Sequence, residues 1–145
     1  PNLADEASGD FPPGKYPIDS DCKINDKAPL RLCSADLHAD TLTIRILEKS
    51  PSINNELTIK ITGKQFHTLF SFTRPDSEAP YHIYPTDQLL LLNQSKFNPR
   101  DVLKGYINFR GTGVLKPEDF GDWDSKSDWV PSNYVVRGPF RAIIR

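Results

Sequence analysis

Methionine is absent from the 145-residue chain, and cysteine occurs only twice, at Cys22 and Cys33. A chain that opens on Pro1 and holds no Met reads as one whose original start has been removed. Any membrane anchor is therefore expected in a lost N-terminal segment. No long hydrophobic run is present, because the longest aliphatic stretch is the four leucines from Leu89 to Leu92, far short of the roughly 20 residues a membrane helix needs. An excess of positive charge is missing as well. The 18 Lys and Arg against 19 Asp and Glu give a net charge of -1, without the basic surplus that phosphate-backbone binding shows, so no nucleic-acid partner is expected. The sequence has no GxGxxG, Walker loop, HExxH or GxSxG, the short motifs that name a reaction by themselves. Neither cysteine belongs to a CxxC pair or stands at zinc spacing from a histidine. Neither a metal nor a cofactor is expected.

What is present suits one domain, since single domains run about 100–200 residues. Hydrophobic residues at 37% and 13 prolines exclude a disordered acidic tail and a collagen-like repeat. Residues 1–21 hold four of those prolines and an acidic excess with few apolar positions, the composition of a tether or extended arm. Phe11, Tyr16 and Ile18 could alternatively pack that arm onto the domain formed by residues 22–145. Cys22 and Cys33 are an even pair separated by ten residues that include Pro29, which suits a local disulfide loop in an oxidising compartment. Closing so short a loop would stabilise by roughly 3 kcal/mol. Two buried free thiols are the alternative.

From Thr41 the hydrophobic period becomes two. Leu42, Ile44 and Ile46 alternate with polar residues up to Ser50-Pro51, and Leu57, Ile59 and Ile61 repeat the pattern up to Gly63. The short connector between them predicts an antiparallel hairpin. Phe66, Phe70 and Phe72 mark a third strand, and residues 106–110 and 134–145 two more. Around residues 87–94 the leucines fit a strand or a short helix equally well. Pro139 is expected at a bulge or on an edge, because it has no amide hydrogen to give to a ladder. Together these features predict an all-β chain, a small antiparallel β-sandwich or partly open barrel with Pro-rich connectors.

Several constellations could carry chemistry. Asp36, His38 and Asp40 would share a strand face, yet the same parity would drive them toward the core with Leu42, so a solvated turn near Asp40 is expected instead. Residues 118–129 collect five carboxylates and both tryptophans. Asp122, Asp124 and Asp128 have something of calcium-loop spacing, but Lys126 stands at a ligand position and no closing bidentate Glu follows. Phe120, Trp123 and Trp129 amid Asp122, Asp124 and Asp128 better suit a partner-binding surface, since Trp dominates interface hot spots; plugging the end of the core is the competing role. Arg137, Arg141 and Arg145 alternate with Phe140, Ala142 and Ile144 and are expected on a solvated outer face rather than as an anion stripe. The functional expectation is a non-enzymatic, extracytoplasmic protein-binding module, periplasmic or secreted, such as a lipoprotein acting as inhibitor, immunity protein or envelope accessory factor. A small hydrolase built on a His/Asp pair, or a β-barrel carrier with Phe66, Phe70 and Phe72 lining an apolar cavity, are the alternatives.

Overall fold

A computed structural model describes residues 19–49, 54–73, 81–115 and 130–145. These residues form ten strands: β1 (Cys22–Ile24), β2 (Ala28–Leu30), β3 (Leu32–His38), β4 (Thr41–Lys49), β5 (Asn54–Thr62), β6 (Gln65–Thr73), β7 (Tyr81–Ile83), β8 (Pro85–Leu92), β9 (Val102–Leu115) and β10 (Val130–Ile143). They build two five-stranded sheets whose strand pairs are antiparallel, in the orders β3-β4-β5-β6-β7 and β2-β1-β10-β9-β8. The sheets do not close into a barrel, and the chain is a β-sandwich.

Alternation explains the first sheet. Leu42, Ile44 and Ile46 of β4, Leu57, Ile59 and Ile61 of β5, and Phe66, Phe70 and Phe72 of β6 are all buried, while the residues between them face outward. Each such side chain contributes roughly 1.5–3 kcal/mol when fully removed from water. The second sheet answers with Leu90, Leu92, Leu103, Ile107, Phe109, Val136 and Phe140. Residues 89–92 are strand, with Leu90 and Leu92 buried and Leu89 exposed. Phe70 and Phe72 pack on each other, with ring centroids 5.9 Å apart, and both meet Tyr134.

The turns follow from their residues. Asn25 and Asp26 both adopt positive φ (52° and 59°) in the three-residue connection 25–27 between β1 and β2, where Lys27 N donates to Ile24 O at 3.0 Å, a conformation Asn and Asp tolerate. Gly63, at φ 63°, opens the two-residue turn from β5 to β6. The expected turn before β4 is present: His38 pairs with Thr41 across Ala39 and Asp40, with Ala39 at φ 55°. Asp36 is directed instead to Arg145, at 3.1 Å.

Two expectations need correction. Cys22 and Cys33 are free thiols rather than a disulfide. The ten intervening residues are not a local loop: β1 carries Cys22 in one sheet, and the chain turns through β2 and crosses at Arg31 to β3, which carries Cys33 in the other. Pro139 is neither on an edge nor in a bulge. It lies in β10, a central strand whose register with β9 runs unbroken through Gly138↔Ile107, Pro139↔Tyr106 and Phe140↔Gly105. The missing amide is accommodated on the other side, where pairing lapses between Ser20↔Phe140 and Lys23↔Arg137 while Asp21 N still donates to Pro139 O at 2.9 Å. The same contacts show that residues 19–21, counted with the arm, already pair with β10.

Candidate functional site

The outer face of the first sheet is set by register arithmetic. Thr58 stands opposite Arg45 on β4 and Leu69 on β6, and Lys60 opposite His67. Directly opposed residues have Cβ atoms about 4.5–5.5 Å apart and diagonal ones about 7–8 Å, so Arg45, Lys60 and His67 cluster around Thr58. Glu56 stands opposite Ser71 in the next row. β7 pairs only with Phe70, Ser71 and Phe72. At Tyr84 the chain leaves that sheet, and Pro85 pairs with Gly111 in the other.

The departure leaves a groove of about 580 Å³. Its floor is Arg45, Thr58, Lys60 and His67, and its wall is Tyr84, Pro85 and Gln88. Tyr84 is 69% exposed, an unusual position for a large aromatic residue. Among the described residues, Arg31, Arg137 and Arg145 each have a carboxylate partner, whereas no ion pair engages Arg45 or Lys60. The groove is thus a concave surface with uncommitted positive charge, opposed within it only by Glu56.

At the groove's inner margin, Thr68 lies on the inward parity of β6 and is only 6% exposed. Its hydroxyl donates to Gln88 Oε1 on β8, a polar contact where the two sheets part. Replacing Gln88 by Ala should strand that hydroxyl and cost about 1–3 kcal/mol. Adding Thr68→Val should recover most of the loss, a pattern readable from urea midpoints of the two single variants and the double.

Ser71 Oγ lies 3.0 Å from His82 Nδ1 across β6 and β7. A serine–histidine pair needs a third group to orient the imidazole as a base, and among the described residues no carboxylate is hydrogen-bonded to His82. Both residues of this pair sit on a solvent-facing row, the arrangement of an ordinary cross-strand contact. No group of three or more His, Cys, Asp or Glu able to hold a metal ion occurs among the described residues.

The sequence-level candidates fare differently. Phe120, Asp122, Trp123, Asp124, Asp128 and Trp129 lie outside the described residues. Of the arginine stripe, Arg137 makes a two-pronged contact with Asp26 at 2.9 and 2.8 Å, and this guanidinium holds the Asp26 carboxyl below its usual pKa. Arg145 is committed to Asp36. Arg137 and Arg145 thus serve as cross-links at the sheet surface. His67 is exposed, on the face opposite Phe66, Phe70 and Phe72. Reasoning from sequence left it isolated and passed over Arg45, Lys60 and Tyr84. The signal available was the two-residue Gly63-Lys64 turn, which fixes Lys60 opposite His67 once the hairpin is granted. No family model, no curated protein and no solved structure matches the chain.

Proposed function

We propose that the chain is a non-enzymatic, extracytoplasmic binding module that recognises a protein partner through the groove beside β6, in the manner of a periplasmic or secreted inhibitor, immunity protein or envelope accessory factor. The observation that carries this reading is the groove itself: Arg45, Lys60 and His67 gathered under an exposed Tyr84, with no completed catalytic constellation among the described residues. Aromatic and Arg side chains at a concave surface are what interface hot spots are made of. The placement outside the cytoplasm rests on the proline-rich, acidic composition of residues 1–21. The aromatic and acidic residues 118–129 would extend the same recognition role.

A photo-crosslinking side chain placed at Thr58 in the cells of origin tests the reading, with Arg110 on the outer face of the other sheet as control. One defined protein adduct is expected from Thr58 and none from Arg110, and Arg45→Glu with Lys60→Glu should abolish it. Equal adducts at both positions, or none at Thr58, would reject the groove as the recognition surface. Loss of an esterase or amidase activity on Ser71→Ala would instead establish the hydrolase.

A further inference from the structure

Sheet edges differ in how they are guarded. Exposed edges recruit other strands unless they are short, carry proline, are bulged or are covered. β2 is three residues long and contains Pro29. The edge of β3 is covered by the C-terminus, where Leu37 N donates to Arg145 O at 2.8 Å and Arg145 N to Ala35 O at 2.9 Å. β8 begins with Pro85 and has an irregular register between Pro85 and Asp87. β7 is again only three residues. Among the described residues, the first half of β6 has none of these devices. β7 covers Phe70, Ser71 and Phe72 and then turns away, and among the described residues no strand pairs with residues 65–69 on that side. At about 3.4 Å per residue, roughly 17 Å of edge faces the groove.

We infer that this edge takes an extended peptide segment bearing acidic side chains, added beside β6 as a further strand in line with β7. The inference rests on the binding reading above and gives it a mode and a chemistry. An added strand brings main-chain hydrogen bonds for affinity and alternate side chains for specificity. Its outward residues would continue the row of Lys60 and His67, where a carboxylate meets an ammonium and an imidazole and where Arg45 adds positive charge one row along. Its inward residues would face Thr68 and Gln88, so small or hydroxyl-bearing side chains fit there and large apolar ones do not. Tyr84 and Pro85 form the end wall, at the point where β7 would otherwise have continued.

The probe is a capped heptapeptide alternating Glu and Thr, compared with its Lys/Thr counterpart and with the Glu/Thr peptide N-methylated at alternate amides, in both registers. The expected result with the full chain is binding of the Glu/Thr peptide alone, with slowed amide hydrogen exchange at residues 65–69. Lys60→Glu, an exposed position, should weaken it about tenfold without moving the melting temperature. Equal binding of an N-methylated peptide, or binding without protection at residues 65–69, would overturn the added strand. Equal binding of the Lys/Thr peptide, or none by either peptide at millimolar concentration, would overturn the acidic segment. If the Thr58 adduct persists in any of these cases, the groove remains a recognition surface and only its mode is rejected. If that adduct is absent, the binding reading falls first.

Discussion

Gly105→Ala should destabilise the protein by about 1–3 kcal/mol, a large effect for one methyl group, and Phe140→Ala by about 3–5 kcal/mol. Gly105 sits on the inward parity of β9, paired with Phe140 of β10 on one side and Leu92 of β8 on the other. A Cβ there would lie 2.3 Å from Phe140 Cζ and 2.8 Å from Cε1 and Cε2. The tip of a fully buried ring therefore occupies the space any other residue would claim. β9 and β10 are flanked on both sides by other strands, so the backbone has little freedom to back away. Because the two substitutions act on one volume, the double variant should lose less than the sum: the alanine methyl occupies part of the cavity the ring leaves. Urea unfolding of the four proteins measures this directly. Additive losses within about 0.5 kcal/mol would mean that ring and glycine do not share that space.

The part of the fold legible in the sequence is the part where one face is apolar and the other wet. β4, β5 and β6 announce themselves because Leu42, Ile44 and Ile46, then Leu57, Ile59 and Ile61, then Phe66, Phe70 and Phe72 recur with period two. β1, β2 and β3 did not, because the first two are only three residues long and the third lacks a clean apolar alternation. Cys22 and Ile24 are strand because β10 is beside them, and Leu32, exposed at the start of β3, has no alternating signature of its own. The even cysteine count pointed to a bridge, whereas both thiols are free. Pro139 shows the same limit. Its missing amide argued for an edge, but an antiparallel residue directs its main-chain groups to one neighbour only, and at Pro139 that neighbour is β1, where the pairing could lapse without breaking β10 from β9.

The groove was less legible than the sheets around it, for a physical reason. Arg45, Thr58, Lys60 and His67 occupy the polar half of each alternation, and polar outer positions look alike whether they are bare surface or the floor of a concavity. What distinguishes them is the exit of the chain at Tyr84, a consequence of β7 stopping after three residues. Pro80 and Pro85 bracket this short strand in the sequence, but they do not tell which sheet the chain enters next.

The two thiols should be chemically silent until the protein unfolds. Cys22 is fully buried on β1, its Sγ 3.7 Å from Pro139 O, and burial, against a lowering hydrogen bond from Ser20, pushes its pKa up to about 12. Cys33, half-buried against the core on β3, is also pushed up, by burial first and then by its proximity to Cys22 and Asp19. The thiolate is the nucleophile. A pKa near 12 rather than 9.0 lowers the thiolate fraction of Cys22 at pH 8 by about a thousandfold, and iodoacetamide should label the native chain correspondingly slowly. The unfolded chain, without reductant, should take up label at both residues; no uptake there would reveal a bridge and reverse the assignment of free thiols. The same shift carries a stability consequence with a definite sign. Below pH 9 both states keep the proton and nothing is lost. Between about 9 and 12 the unfolded chain releases it while native Cys22 holds it, so the native state binds more protons and stability falls as pH rises, by at most about 1.4 kcal/mol per pH unit for each such thiol. Replacing Cys22 by Ala should remove its share of that alkaline slope while leaving the slope below pH 9 as it was. An unchanged alkaline limb in Cys22→Ala would show that ionisation of this thiol does not drive the loss.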